Sequence, residues 1–528
     1  MLGIKHKISH LIGTEKAKQL FNTILDTRIY ALGIVVGIIT AAVCIPFRML
    51  VSEAATLREH LFSHESPVYY HPLLLISMYI IIVGIYKLTQ RYPSLGGSGI
   101  PQTQALIYGR MKYDRIFDHL FVKFIGGVAS IGVGLSLGRE GPSVQMGSFV
   151  GNWAASKFKV RIGEQRHLVA AGAGAGIAAA FTAPLASSML VIESLEKFNA
   201  AKTTISTLLA GATAGILAQL FVPNNIYDSI IVAAPDVSFQ KLLLIFFAMS
   251  IFMSILGKGF SHLLLYSKKI FQRSNTSIYE RLAYLTLLTW SIGFVYPTVI
   301  GGDQNFMIQE TAQANPNMIF IGFMVLLMMI FTTVSAATYF PGGVFLPMMT
   351  VGGLAGNFFT LALIKLGIVS AESLGYFTLI GMSACFISVV RTPLTGFILI
   401  SEMTGHYDVF FATLIVGIFT YYITELIGVV PMNKKLYDFM INENASKYPP
   451  RTTMDLQVNS NSYLEGKDLN TLKLPNGCVV LEVYRNNEKI DFNSNITLEK
   501  NDQIVLELDS ADLEKLHLPL VSMSLDNS

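Results

Sequence analysis

Three short strings in this chain combine glycine and proline with few ionisable side chains: Gly97-Ser98-Gly99-Ile100-Pro101, Gly138-Arg139-Glu140-Gly141-Pro142 and Gly342-Gly343-Val344-Phe345-Leu346-Pro347. Glycine lets backbone approach a ligand closely, and proline suits the first turn of a helix, where its missing N–H costs nothing. Each string therefore reads as a turn opening onto a helix N-terminus. The free N–H groups there, with about half a positive charge from the helix macrodipole, attract an anion without a full cation. The chemistry this offers is weak, reversible anion binding. A lysine among these groups would hold an anion too tightly to release it, whereas several partial charges let it leave. Ser98 adds a hydroxyl donor. Glu140 is an acid among anion-attracting helix ends, so it competes with the anion directly. Ionised, it can occupy an anion site. Protonated, it can vacate that site, which makes it a candidate gate and proton carrier.

Such strings need an environment that tolerates bare backbone, and the composition supplies one. The 528 residues are 52% hydrophobic and only 14% charged, well below the roughly 25% charged content of soluble domains. Uncharged runs such as Ile29 to Phe47 can span a hydrocarbon core of roughly 30 Å, and no charged residue lies between Thr311 and Ile364. Non-helical Gly/Pro segments at membrane depth are tolerated only where they are buried or line a cavity. The expected fold is an all-α polytopic membrane protein with broken helices. The first apolar run follows Lys5, Lys7, Lys16 and Lys18 and lacks a cleavage pattern. It reads as a retained span, with residues 1–28 as a cytoplasmic N-terminal segment.

Several function classes fall away. A net charge of +3 without blocks of like charge argues against nucleic acid. Cys44, Cys385 and Cys478 are too dispersed for a disulfide framework or a metal site, so neither metal nor cofactor is expected. No Gly-x4-Gly-Lys-Ser/Thr loop supports an ATP-driven pump. Gly96-Gly97-Ser98-Gly99 contains a serine-protease-like string, but His119 and His167 sit beside charged residues at segment ends, and Pro101 breaks the helix the serine would need. The chain is read as a non-enzyme. Thr350-Val351-Gly352-Gly353 lacks the Tyr-Gly of a potassium filter and reads as close helix packing.

An internal repeat organises the membrane part. Gly138, Pro142 and Gly147 recur at an offset of 205 as Gly343, Pro347 and Gly352. Gly172, Ala175, Pro184-Leu185 and Glu193 recur at an offset of 209 as Gly381, Ala384, Pro393-Leu394 and Glu402. Two matching halves, about 29–222 and 237–445, point to a transporter whose site lies at the repeat interface. Charge becomes denser after Pro449-Pro450-Arg451. There Val479 to Tyr484, Lys489 to Phe492 and Gln503 to Leu508 read as strands and Ser510 to Leu516 as a short helix, giving a small soluble α+β domain over 451–528.

The three strings, in this order, resemble the CLC family of chloride channels and chloride/proton exchangers, over roughly residues 25 to 445. The resemblance implies an inverted-repeat fold in the cell membrane, cytoplasmic termini and a homodimer with one pathway per subunit. It also implies that Ser98, the phenol of Tyr437 and the backbone N–H groups of Val344 and Phe345 hold a central chloride as bound substrate. Glu140 would be the external gate. The helix-end motif would comprise Gly97, Gly99, Pro101, Gly138, Arg139, Gly141, Pro142, Gly343 and Pro347. One position departs from the exchanger pattern: the acid that relays protons from inside is here Ser194. Both chloride/proton antiport and a passive, voltage- or pH-gated chloride channel therefore stand as expectations. Glu193 and Glu402 are expected to satisfy polar groups between helices. The tail resembles the TrkA-C (RCK-C) regulatory domain through Leu464-Glu465-Gly466-Lys467-Asp468-Leu469 and Leu498-Glu499-Lys500-Asn501-Asp502-Gln503-Ile504. That likeness implies regulation and an unidentified small ligand.

Overall fold

The computed structural model describes residues 14–63, 68–113, 115–195, 201–222, 226–302, 304–313, 316–443, 451–485, 488–490, 496–509 and 512–524. The first half contains α1 (Thr14–Phe62), α2 (His71–Arg91), α3 (Ile100–Ile107), α4 (Ile116–Gly132), α5 (Glu140–Lys157), α6 (Ile162–Phe181), α7 (Pro184–Leu190), a π-helical turn (Val191–Leu195) and α8 (Ala201–Phe221). The second contains α9 (Phe239–Arg273), α10 (Ile278–Val295), α11 (Asn305–Ala312), α12 (Met318–Ala337), α13 (Phe345–Lys365), α14 (Leu374–Val390), α15 (Pro393–Thr404), α16 (Phe410–Leu426) and α17 (Met432–Glu443). Among the described residues, eight helices are long and apolar enough to cross a membrane. Among the short ones, α15 follows the expected Leu394 to Ile400 segment, whereas the run Val169 to Ile192, read as one apolar segment, is broken near Thr182 and Pro184 into α6 and α7.

Packing repeats between the halves at the glycines the sequence pairs. A Cβ at Gly147 would lie 2.0 Å from the Gly172 carbonyl oxygen, so α5 and α6 touch backbone to backbone. Its repeat mate Gly352 would meet the Gly381 oxygen at 2.6 Å, which joins α13 to α14 in the same way. Small residues permit such contact in a membrane, where lipid offers no hydrophobic drive for helix association. The ends repeat as well. Thr182 closes α6 at φ 55 and Arg391 closes α14 at φ 67, and each is followed by a proline that opens the next helix.

The C-terminal domain is a four-stranded antiparallel sheet in the order β1-β4-β2-β3, where β1 is Arg451–Gln457, β2 Val479–Arg485, β3 Glu488–Ile490 and β4 Gln503–Asp509. It is followed by α18 (Leu513–Ser524). β1 pairs with β4 along its whole length, yet its Arg451-Thr452-Thr453-Met454 stretch carries no strand signal strong enough to be read beforehand. Ser510, expected to open the helix, lies outside the described residues, and the helix runs later than expected. The two strings that carry the TrkA-C likeness lie side by side: Gly466 N–H donates to the Leu498 oxygen at 2.8 Å and Leu498 N–H to the Lys467 oxygen at 2.9 Å.

Candidate anion-binding site

The Gly138 and Gly343 strings meet as an antiparallel bridge, with N···O distances of 2.7 and 2.6 Å. Repeat mates thus join the two halves at the point where α5 and α13 begin. Glu140, the first residue of α5, is completely buried. Its Oε1 accepts from the Phe345 N–H at 2.7 Å and from the Leu346 N–H at 3.3 Å, at the N-terminus of α13. Its Oε2 has no hydrogen-bond partner. The carboxylate thus sits where free amides and the macrodipole favour negative charge. The bare backbone leaves room for it: a Cβ at Gly343 would lie 2.3 Å from Oε1, and one at Gly138 2.1 Å from Oε2. Val344 precedes α13 as its N-cap and is nearly buried. Arg139 is the N-cap of α5, its carbonyl accepting from the Ser143 N–H and hydroxyl.

Ser98 stands at the start of α3, between Gly97 (φ 73) and Gly99 (φ 91). Its Oγ accepts from the Ile100 N–H at 3.3 Å, which leaves the hydroxyl proton for donation to another group. Gly97 N–H donates to the Tyr339 oxygen at 2.8 Å, and Gly342 N–H to the Gly97 oxygen at 3.3 Å, so this turn is tied to the string that opens α13. Gly141 could carry no side chain, because a Cβ would meet the Ser98 oxygen at 2.2 Å. The structure thus brings Ser98, Glu140, Gly141, Gly343, Val344 and Phe345 into one neighbourhood. Pro101, Pro142 and Pro347 each lie in the first turn of their helices.

Tyr437 has other neighbours. Its ring is edge-on to Tyr108 at 6.4 Å, and the Arg110 guanidinium carbon lies 6.0 Å from its ring centre, both at the far end of α3 from Ser98. The face of α17 that lines a cavity with Ser98 carries Leu436, Phe439 and Met440 instead. Ser194 lies in the π-helical turn, where its Oγ accepts from Asn433 Nδ2 at 2.7 Å. Glu193 accepts from the Leu394 and Thr395 N–H groups at 3.1 and 2.8 Å, at the start of α15. Glu402 accepts from the Leu185 and Ala186 N–H groups at 3.1 and 2.8 Å, at the start of α7. Each half therefore caps a helix of the other, the inter-helix role expected of these acids.

Sequence reading missed two lysines. Lys123 in α4 is completely buried and donates to the Leu95 and Gly97 oxygens at 2.9 and 2.8 Å, bracing the Ser98 turn from behind. Lys268 in α9 lines the cavity with Ser98, its Nζ 4.3 Å from the Tyr339 ring centre. Both lie far in sequence from the strings, and only a lysine inside a long apolar run could have drawn attention to them.

With this geometry in hand, residues 78–425 match the family of voltage gated chloride channels, and residues 454–520 match the TrkA-C domain. The chain belongs to the voltage gated chloride channel (CLC) family. Among curated relatives it is similar to the H(+)/Cl(-) exchange transporter ClcA of Klebsiella pneumoniae strain 342, 30% identical over 380 residues that cover 71% of this chain and 79% of that protein. The ClcA of Salmonella typhimurium is 29% identical over 428 residues, covering 78% and 88%. Among solved structures, a slow cyanobacterial Cl-/H+ antiporter superposes with a TM-score of 0.70 at 24% identity, over 79% of this chain and 99% of that one. A CLC-type fluoride/proton antiporter gives 0.63 at 21%, over 77% and 98%. These superpositions establish the fold.

Proposed function

We propose that this protein exchanges chloride for protons across the membrane, with Glu140 as both gate and proton acceptor. One observation carries the reading: the Glu140 carboxylate lies on the Phe345 and Leu346 amides, where an anion would bind, with its second oxygen unpartnered. Chloride and an ionised Glu140 are then alternatives for one set of donors. Protonation weakens the carboxyl's hold on the amides, chloride takes its place, and the proton leaves with the side chain. Once the carboxyl has left, Ser98 and the Val344 and Phe345 amides hold the permeant ion. The names of the ClcA relatives support chloride/proton exchange as the family activity.

A passive channel is the second reading, and Ser194 favours it. A serine hydroxyl cannot hold a relayed proton as a buried carboxylic acid does, and Asn433 already engages this one. The two readings separate in liposomes carrying an imposed chloride gradient with the membrane voltage set, while external pH is followed. Proton movement against its own gradient establishes exchange. Chloride flux without pH change, reversing at the chloride potential, overturns it in favour of the channel.

The C-terminal domain regulates in this reading. It is tied to the start of α6 by Arg161, which donates to Gln503 Oε1 at 2.5 Å and stacks 5.1 Å from the Tyr484 ring centre. Because α6 is locked backbone to backbone against α5, movement there is transmitted toward Glu140.

A further inference from the structure

We propose that Gln102 and Gln145 are positioning residues for the anion pathway: by occupying carbonyl oxygens of the turn before Ser98, they keep acceptors from facing the permeant ion. The inference deepens the anion-transport reading and rests on it. Ser94, Gly96, Gly97 and Ser98 line one cavity, and a bare carbonyl on that wall would repel an anion as it attracts a cation. Four successive carbonyls are taken there by side-chain donors from three helices. Gln145 Nε2 of α5 donates to the Ser94 oxygen at 3.0 Å, Lys123 Nζ of α4 to the Leu95 and Gly97 oxygens at 2.9 and 2.8 Å, and Gln102 Nε2 of α3 to the Gly96 oxygen at 2.7 Å. Gln145 is completely buried and Gln102 nearly so, and in each the Oε1 has no hydrogen-bond partner among the described residues. Buried amide oxygens without partners are uncommon, and two of them around one turn point to the nitrogen as the end that matters. Turning either amide over would set oxygen against carbonyl oxygen, so the turn fixes the direction of both. The approach of α5 is just as tight. Gly99 has φ 91, and a Cβ there would lie 2.7 Å from the Gln145 Cβ. Because Glu140 opens the same helix, Gln145 sets the Ser98 turn against the element that carries the gate.

The test measures chloride binding by calorimetry on the full chain in detergent, in a Glu140→Gln parent whose side chain no longer competes as a carboxylate. Gln145→Met keeps the length of the side chain and loses its donor. It should weaken chloride binding roughly three- to tenfold, the scale of one hydrogen bond, while the fraction of protein that binds stays the same. Gln102→Met should act likewise through Gly96. Gln145→Glu should match the parent at a pH low enough to protonate the introduced acid, whose O–H can serve the Ser94 oxygen, and lose affinity when that acid ionises. An unchanged affinity in either folded Met variant overturns the proposal. So does a smaller binding fraction at unchanged affinity, which would mark a purely structural role, and so does a Gln145→Glu variant that binds as weakly as Gln145→Met at low pH. If neither Met variant folds, Gln145→Glu decides alone: an affinity that does not fall as the acid ionises overturns the proposal. Absence of chloride binding in the Glu140→Gln parent would instead defeat the anion-transport reading itself.

Discussion

Glu140 and the pair Glu193/Glu402 apply the same chemistry, a carboxylate on the amides of a helix that belongs to the opposite half, with different commitment. Glu193 and Glu402 each use both oxygens on two successive N–H groups, and Glu193 also takes the Thr395 hydroxyl at 2.6 Å. Glu140 uses one oxygen and leaves the other without a partner, in a space lined by Gly138 and Gly343. A buried, unpartnered acceptor costs roughly 1–3 kcal/mol, so Glu140 is held less firmly and has less to lose by leaving. Full satisfaction makes a staple. Partial satisfaction, with glycine on either side, suits the gate proposed at Glu140.

The largest effect should come from removing the gate's titration. Glu140→Gln mimics the protonated acid, so chloride flux should persist while its pH dependence, up to about tenfold per pH unit for a single-proton gate, becomes flat. Flux measured between acidic and neutral pH tests this, and a retained steep profile would move the gate elsewhere. Next in size is Gly343→Ala, whose Cβ would meet Glu140 Oε1 at 2.3 Å. Displacing the carboxylate should raise flux at high pH relative to low pH by several-fold. An unchanged ratio in a folded dimer or monomer would show that the carboxylate's position does not control the pathway.

The staples should respond in stability rather than in gating. Glu402→Ala leaves the Leu185 and Ala186 amides without their acceptor, and should cost about 1–3 kcal/mol, seen as a lower thermal unfolding midpoint in detergent. Its pH profile of flux should match wild type. A shifted profile with unchanged stability would erase the distinction between staple and gate.

A fourth carboxylate, Asp455 on β1, extends the comparison outside the membrane and should give the smallest effect. Burial pushes its carboxyl above the usual carboxylate range, opposed by Arg166, raised further by Glu164 and opposed again by Lys202 and Arg161. A folded pKa above the unfolded one means that the folded state binds the proton more tightly. Stability from this group is then fully present below the unfolded value and is lost as pH rises toward the folded one. Asp455→Asn should flatten that decline and slightly raise the unfolding midpoint at neutral pH. A lower midpoint would show that the ionised acid, held by the nearby cations, stabilises the domain contact.

Much of this was written along the chain because local rules decide it. Glycine and proline spacing marked the starts of α3, α5 and α13, since backbone conformation and missing N–H groups depend on the residue itself. The offset between Gly147 and Gly352, and between Gly172 and Gly381, announced a repeated helix contact that only small residues allow. Other features depended on what the chain returns to after long excursions. That Glu140 lands on the amides of α13, 205 residues away, follows from the bridge between Gly138 and Gly343, a pairing that no local propensity encodes. The cross-capping by Glu193 and Glu402, and the arrival of Lys123 and Lys268 at the Ser98 turn and its cavity, have the same origin. Tyr437, expected at the anion from the resemblance, packs edge-on against Tyr108 with the Arg110 guanidinium 6.0 Å from its ring centre, neighbours that no local pattern encodes. Residue type sets what a group can bind, and the packed helices decide which groups come within reach.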